Sequence, residues 1–227
     1  MWKWLNDWIN RCLSDVNLFG VMLNTHRTPG KLVLEVPVEI ERRYLIAEPY
    51  RLPALGIGTR YVQCYPPVEA FTIIGEQLIF EGAVLVSGLS KAQAWSIVSL
   101  LNNEAGCTPR LRIAGDNAFV TIKGRSDGPS RVEWEFEVVR ELIQHHVESW
   151  RWPTVVKRRF DLTENDGFLW VIDRFEGGNE GLWLAEIELD VPKESYSLPY
   201  WLGTEVTADS RYGSGGLARS PWRSWSC

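Results

Sequence analysis

Charged and apolar residues alternate along a series of short segments of this chain. In the first clear case, Glu39, Glu41 and Arg43 fall at every second position, while Val38 and Ile40 occupy positions of the opposite parity. A two-residue period places such sets on opposite faces of a β-strand. For one strand alone, the simplest interpretation is an amphipathic strand with its charges in water.

The same alternation returns in later segments, with acids in some and bases in others, so the charged faces form a set. Eight antiparallel strands are enough to close a small barrel, and we predict a mainly β (α+β) fold with an eight-stranded antiparallel barrel and flanking helices. Alternation alone does not say which face is inside. The predicted core strands are 32–45, 60–65, 109–114, 117–124, 130–138, 154–162, 167–175 and 182–190.

The segment 66–107 lacks this alternation of acids and bases and is predicted to be an insertion. Short strands at 71–74, 77–80 and 83–87 are separated by turns that contain glycine. Ser90 then has the character of an N-cap for a following helix.

Three further helices are predicted outside the strands. A stripe of tryptophan and aliphatic residues predicts a helix over 2–16 that packs on the protein or on a partner, because the charges between them have mixed sign. A second helix is predicted over 139–150 and a short one around 200–202. The sequence leaves open whether the first helix and the insertion shape a tunnel mouth or the contact of a homodimer.

Composition describes an ordinary globular chain with one domain over 1–227. It has 227 residues, of which 45% are hydrophobic and 23% charged. The formal net charge of −5 argues against nucleic acid as a partner, because phosphate backbones are met by an excess of Lys and Arg. Any anion site must therefore be local.

The four cysteines are widely separated and only three histidines are present, which suggests neither a disulfide framework nor a zinc site. We expect free thiols in a reducing compartment. No apolar run is long enough to span a membrane, and the N-terminus lacks the apolar core of a secretion signal. A cytoplasmic protein without stable membrane insertion is therefore expected.

Short motifs with charged residues follow one another in an order that resembles the CYTH family, the triphosphate tunnel metalloenzymes. The resemblance extends over most of the chain outside the insertion and the N-terminal helix, and the order and spacing carry more weight than any single motif. The matching elements are E-x-E-x-R at 39–43 (the family has lysine in the last position), R-x-R at 110–112, T-x-K-G at 121–124, R-x-E-x-E at 131–135, K-x-R-F at 157–160, D-x-F at 173–175, G-N-x-G-L at 178–182, A-E-I-E at 185–188, W-L-G-x-E-V-T at 201–207 and R-Y at 211–212.

The resemblance implies an eight-stranded tunnel whose polar side chains point into the lumen, which would resolve the ambiguity about the faces. It also explains the mixed signs, because a triphosphate needs cationic donors on its oxygens. The candidate substrate-binding residues are Arg43, Arg110, Arg112, Lys123, Arg131, Lys157, Arg159 and Arg211, and of these Arg43, Lys123, Lys157 and Arg159 are the catalytic candidates.

Carboxylates beside a polyanion repel it unless a cation lies between them, and Mg²⁺ or Mn²⁺ prefers oxygen ligands. The resemblance therefore implies a divalent metal as cofactor. Asp173, Glu186 and Glu188 are the first candidate ligands. Glu39 and Glu41 complete this site or hold a second ion, and Glu133 and Glu135 are further candidates.

The function implied is metal-assisted hydrolysis of a triphosphate, with inorganic triphosphate as the first substrate and a small-molecule polyphosphate as the partner. A nucleoside or thiamine triphosphatase or a class IV adenylate cyclase is the alternative within the fold. A polyphosphate- or nucleotide-binding module without catalysis is the alternative outside enzymes, motivated by Arg43 in place of lysine and by Ser210 in place of a basic residue. Buried ion-pair networks also place Arg opposite Glu, so a purely structural role of the charges is a further alternative.

Overall fold

A computed structural model describes residues 38–103, 106–125 and 130–225, without the side chains of Ser130 and Arg131. The chain divides into two units, Met1–Leu34 and Glu35–Cys227, and every described residue belongs to the second. The predicted helix over 2–16 and the first part of the strand predicted over 32–45 lie outside the described residues.

Eight strands form a closed barrel in which all neighbours are antiparallel, as the sequence predicts. The eight barrel strands are β1 (Val38–Leu45), β2 (Thr59–Cys64), β6 (Thr108–Ala114), β7 (Asn117–Lys123), β8 (Ser130–Glu137), β9 (Thr154–Thr163), β10 (Leu169–Phe175) and β11 (Trp183–Glu188). Their order around the barrel is β1-β11-β10-β9-β2-β6-β7-β8.

The register of the strands places the charged faces inside the barrel. Arg43 of β1 lies opposite Glu186 of β11, and Asp173 of β10 lies opposite Arg159 of β9. Side chains at the alternate positions point away from the lumen. Ile172 and other apolar side chains there are fully buried in clusters that cover the outside of the barrel wall. The ambiguity about the faces is resolved in favour of a polar lumen.

The insertion forms a separate three-stranded sheet, β3 (Phe71–Ile74), β4 (Gln77–Phe80) and β5 (Ala83–Ser87), with the predicted bounds. Ser90 caps the following helix in a reciprocal arrangement with Gln93, as the N-cap prediction requires. Buried side chains of this sheet belong to the same core cluster as outward residues of β6 and β7. The insertion therefore covers the outer face of one side of the barrel.

The helices within the described residues are α1 (Lys91–Leu101), α2 (Arg140–Glu148) and α3 (Ser214–Arg219). None of them is both long and apolar enough to cross a membrane. The short helix predicted around 200–202 is wrong, because a turn closed by the Leu202 N–H and the Pro199 carbonyl lies there. The helix of this region is α3, and glycine permits it: a Cβ on Gly216 would lie 2.5 Å from the Ser210 carbonyl oxygen.

Two cysteines lie within the described residues, Cys64 and Cys107, and both are free thiols as predicted. Burial raises the pKa of Cys64 to about 12 and that of Cys107 to about 11. The chemistry of the barrel therefore has to be sought among its carboxylates and cationic groups.

Candidate active site

A cavity of about 530 Å³ occupies the lumen of the barrel. Charged side chains from six strands line it, and the bases outnumber the acids although the whole chain is acidic. The cavity therefore carries a local excess of positive charge. The charged lining consists of the bases Arg43, Arg110, Arg112, Lys123, Arg125, Lys157, Arg159 and Arg219 and the acids Glu39, Glu41, Glu133, Glu135 and Glu186.

Arg43 is held between two carboxylates. Its Nε donates to Glu186 Oε1 at 2.7 Å and its Nη2 donates to Glu41 Oε1 at 2.5 Å. Burial on its own lowers the pKa of Arg43, but the charges of Glu186 and Glu41 outweigh it and the pKa is raised. The guanidinium of Arg43 therefore remains charged and is fixed in two directions.

Asp173 lies behind the cavity lining and neutralises two bases at once. Its Oδ2 accepts from Lys157 Nζ at 2.5 Å, and its two oxygens accept from Arg159 Nε and Nη2 at 2.8 and 2.7 Å. Arg159 also reaches Glu186 at 3.1 Å. Burial raises the pKa of the aspartate, but Arg159 and Lys157 lower it further than burial raises it.

Lys157 behaves differently from the arginines beside it. Its ammonium group is buried, and burial together with the neighbouring Arg159 lowers its pKa to about 8 in spite of Asp173. A lysine with such a pKa changes its charge close to physiological pH. The cationic character of this part of the lumen is therefore dependent on pH.

Arg110 and Arg112 share one carboxylate on the opposite side of the lumen. Glu135 accepts from Arg110 Nη2 at 2.8 Å through one oxygen and from Arg112 Nη2 at 2.8 Å through the other. The Thr121 hydroxyl accepts from Arg110 Nη2 at 3.0 Å and donates to Glu135 at 2.7 Å. Burial raises the pKa of Glu135, but Arg112 and Arg110 lower it by more.

Lys123 connects β7 to the acids of β1 and β8. Its Nζ lies 3.3 Å from Glu39 Oε2 and also pairs with Glu133. Burial, followed by the hydrogen bond and charge of Glu39, raises the pKa of Glu133 to about 7, although Lys123 and Arg110 act in the opposite direction. These two carboxylates are close enough to oppose each other's ionisation.

The predicted metal ligands separate into two groups. Asp173 and Glu186 are each bound by two cationic side chains, and Glu41 and Glu39 also pair with bases, Arg43 and Lys123. Glu188 is different, because burial and then the charges of Glu39 and Glu41 raise its pKa. Repelling carboxylates of this kind match the oxygen preference of Mg²⁺ or Mn²⁺, so Glu39, Glu41 and Glu188 fit such an ion chemically. Among the residues the structure describes, no three such side chains are already arranged to hold a metal.

Not every predicted site residue reaches the cavity. Arg211 does not line it: its guanidinium is exposed, pairs with Asp209 at 2.6 Å and lies over the ring of Trp225. Asp209 caps the turn in which Arg211 lies, and this fixes the side chain away from the lumen. Glu188 lies at the end of β11, outside the lining. The side chain of Arg131 is outside the described residues, and its backbone lies opposite Glu39.

Several lining residues have no counterpart among the sequence predictions. Tyr61 and Tyr65 line the cavity from the strand between the two charged sides, and Gln63 between them is buried and donates to the Tyr65 hydroxyl at 2.7 Å. The spacing of two residues from Tyr61 to Gln63 and from Gln63 to Tyr65 is a signal in the sequence that could have identified them. Arg125 and Arg219 also line the cavity, but nothing in their sequence surroundings distinguishes them from surface bases.

Comparisons with known proteins identify two sequence relatives of this chain. No protein-family model matches the chain. An inorganic triphosphatase of Acetivibrio thermocellus is 37% identical over 120 residues, which are 51% of this chain and 74% of that protein. An inorganic triphosphatase of Nitrosomonas europaea is 34% identical over 118 residues, which are 49% of this chain and 74% of that protein.

A crystal structure of an inorganic triphosphatase is 24% identical in sequence and gives a TM-score of 0.46, covering 83% of this chain and 97% of that chain. The two sequence relatives are each matched over about three quarters of their own length. On the strength of these sequence relatives, the chain belongs to the inorganic triphosphatase family.

Proposed function

We propose that this protein hydrolyses inorganic triphosphate to pyrophosphate and orthophosphate with the help of Mg²⁺ or Mn²⁺. The sequence relatives are named for this activity. The motif order supports a placement within the CYTH family of triphosphate tunnel metalloenzymes. The bond that breaks joins the terminal phosphorus to its bridging oxygen, pyrophosphate leaves with that oxygen, and water supplies the oxygen added to the released phosphate.

The observation that carries the proposal is the convergence of cationic donors from separate strands on one enclosed cavity. Arg43, Arg110, Arg112, Lys123, Lys157 and Arg159 all line it. Guanidinium groups bind phosphate oxygens through paired donors, and ammonium groups act as point charges. Phosphoryl transfer depends mainly on positioning and charge stabilisation, and a cationic lumen supplies both without a protein nucleophile.

We assign the binding of the metal to the acids of β1 and the end of β11. Glu39, Glu41 and Glu188 would hold the ion, with Glu133 next to Glu39 as a further oxygen donor. A divalent ion bound there would polarise the terminal phosphoryl group and neutralise its charge. Asp173 and Glu186 have another task in this proposal, because they orient the bases that they bind.

The bases divide into those that bind the substrate and those that also act on the reacting bond. We assign Arg43, Lys123, Lys157 and Arg159 to the charge that develops on the leaving pyrophosphate and the transferred group. Arg110 and Arg112 bind phosphate oxygens on the other side of the lumen. Fixed carboxylate partners keep Arg43 and Arg159 in place, so little reorganisation is needed when triphosphate enters.

The test is a phosphate-release assay with inorganic triphosphate, ATP and thiamine triphosphate, each with Mg²⁺, with Mn²⁺ and with EDTA. Release from inorganic triphosphate with either metal and none with EDTA is expected. Faster turnover of ATP or thiamine triphosphate, or formation of cyclic AMP, would instead assign the nucleotide-directed function. Binding of triphosphate without any turnover would assign a binding module.

A pair of variants tests the metal assignment. Replacing Glu41 and Glu188 together with glutamine is expected to reduce turnover by more than about tenfold and to raise the Mn²⁺ concentration needed for half-maximal activity. Glu180→Gln is the matched control, because Glu180 is an exposed acid that pairs with Arg223 at 3.4 Å away from the lumen. An unchanged metal requirement in the double variant would remove these two acids from the metal site.

A further inference from the structure

Arg112 is neutralised less completely than the other arginines of the lumen whose carboxylate partners are described above. Arg43 and Arg159 each bind two carboxylates. Arg112 has Glu135 as its carboxylate partner, and that carboxylate also serves Arg110, which pairs in addition with Glu133 at 3.4 Å. Burial first, and then the charge of Arg110, lowers the pKa of Arg112, whereas the pKa of Arg43 and of Arg159 is raised.

Two aromatic rings lie against Arg112 where carboxylates surround the other arginines. The guanidinium carbon is 4.8 Å from the centre of the Phe119 ring and 5.4 Å from the centre of the Tyr61 ring. Phe119 lies directly opposite Arg112 in the pairing of β6 with β7, and Tyr61 lies on the other neighbouring strand, β2. The rings therefore approach the guanidinium from both sides of its own strand.

An aromatic face stabilises a cation in a way that a carboxylate cannot. It attracts the charge through the ring quadrupole, but it neither cancels the net charge nor occupies an N–H donor. One donor of Arg112 is in fact unused: its Nε is buried and has no hydrogen-bond partner among the described residues. A buried donor without a partner is costly unless a ligand completes it.

We propose that Tyr61 and Phe119 are positioning residues that form an aromatic clamp on Arg112 and hold its unused donor ready for a phosphate oxygen of the substrate. This inference rests on the proposed function, because it takes a triphosphate as the ligand of the lumen. Tyr61 has a second contact, since the guanidinium carbon of Arg159 is 5.2 Å from the same ring. Tyr61 thus spaces two cationic groups that repel each other, and Phe119 acts on Arg112 alone.

The test compares Tyr61→Leu, Phe119→Leu and Tyr61→Phe. Triphosphate binding is measured by calorimetry in EDTA, and hydrolysis is measured with metal. Tyr61→Leu is expected to raise both Kd and KM about tenfold while kcat changes much less, since a desolvated cation–π contact contributes on that scale. Phe119→Leu is expected to raise Kd about threefold because it removes one such contact, and Tyr61→Phe keeps the ring and should bind like the wild type.

A double-mutant cycle separates the clamp from general packing. In an Arg112→Ala background the clamp has no target, so Tyr61→Leu should weaken binding less than it does in the wild type. Tyr50→Leu is the control, because Tyr50 is 81% exposed and does not line the cavity. Should Tyr61→Leu fail to fold, Phe119→Leu and its own cycle with Arg112→Ala decide the matter.

The clamp is overturned if both leucine variants bind triphosphate as the wild type does, if Tyr61→Phe is as weak as Tyr61→Leu, or if the effects in the cycle are simply additive. It is also overturned if the wild type binds no triphosphate. A wild type that binds triphosphate but releases no phosphate contradicts the proposed hydrolysis alone, because the Kd comparison still tests the clamp. Normal hydrolysis with unaffected leucine variants contradicts the clamp alone.

Discussion

Two walls of the lumen stabilise buried cations in different ways. In the carboxylate-paired wall, made by β1, β9, β10 and β11, Asp173 and Glu186 hold Arg43, Lys157 and Arg159. In the aromatic wall, made by β2, β6, β7 and β8, Glu135 serves both Arg110 and Arg112, and the rings of Tyr61 and Phe119 lie against Arg112. Glu133 also pairs with Arg110, and Thr121 completes this wall through its hydrogen bonds to Arg110 and Glu135.

The two kinds of partner have different consequences for a buried cation: one holds it rigidly, and the other leaves it available to a phosphate ligand. A carboxylate partner fixes a base strongly, but it competes with any phosphate that approaches. An aromatic partner leaves the charge and the donors for the ligand. We infer that the carboxylate-paired wall sets the geometry of the lumen and that the aromatic wall offers the more accessible positive charge.

The largest loss of stability is expected from Asp173→Asn in the carboxylate-paired wall. Asp173 is 1% exposed and neutralises both Lys157 and Arg159. Without its charge two buried cations face each other, and removal of one partner from a buried ion pair costs about 3–5 kcal/mol. Urea unfolding should therefore show the free energy of unfolding reduced by about that amount.

Two further variants are compared with Asp173→Asn. Glu180→Gln removes an exposed acid whose pair with Arg223 is solvent-accessible, and it should change stability by less than about 0.5 kcal/mol. Glu135→Gln removes the carboxylate of the aromatic wall and should destabilise less than Asp173→Asn, because the rings still support Arg112. Equal losses at Asp173 and Glu135 would abolish the distinction between the walls.

Much of the fold follows from residue patterns that act over short distances. The charged alternation marks the barrel strands because each has one polar face, and the turns with glycine mark the strands of the insertion within 66–107. The lumen-facing identity of Arg43, Arg112 and Lys123 could be predicted for the same reason: strand parity is a local property once the inner face is known.

Which acid pairs with which base in the lumen depends on the register between strands that are distant in sequence. This register could not be predicted from the sequence. In the sequence, Asp173 has no indicated partner, but the pairing of β9 with β10 places two bases next to it. Arg211 is one residue inside a capped turn, and that turn directs it outward. Tyr61 has the appearance of an ordinary strand residue, because its role depends on arginines from two other strands.

The activity is expected to depend on pH through Lys157 of the carboxylate-paired wall. The pKa of Lys157 is lowered to about 8, so the free enzyme loses this positive charge as pH rises through that value. Since kcat/KM reports the free enzyme, it should fall by up to about tenfold for each pH unit above 8. Lys157→Arg keeps the charge at all these pH values, and the ratio of variant to wild-type kcat/KM should rise above pH 8.

The ratio cancels the titration of the substrate, which is the same in both assays. Lys193→Arg is the matched control, since Lys193 lies beside a different surface pocket and does not line the lumen. A ratio that stays constant between pH 7 and 10 would show that Lys157 does not provide the essential charge.

The smallest expected effect comes from Thr121→Val in the aromatic wall. The hydroxyl is completely buried, accepts from Arg110 at 3.0 Å and donates to Glu135 at 2.7 Å. Valine keeps the shape but leaves both partners short of one hydrogen bond, which costs about 1–2 kcal/mol. Thermal and urea unfolding should show this loss.

Thr72→Val is the control, because Thr72 is exposed on β3 and should change stability by less than about 0.5 kcal/mol. The Thr121 hydroxyl also helps to keep the pKa of Glu135 low. Its removal should weaken the hold of Glu135 on both arginines, so triphosphate affinity should change more than in an equally destabilised variant of the outer core such as Ile172→Val. Equal affinity in these two variants would mean that packing, and not the hydrogen bond from Thr121 to Glu135, sets the triphosphate affinity of the aromatic wall.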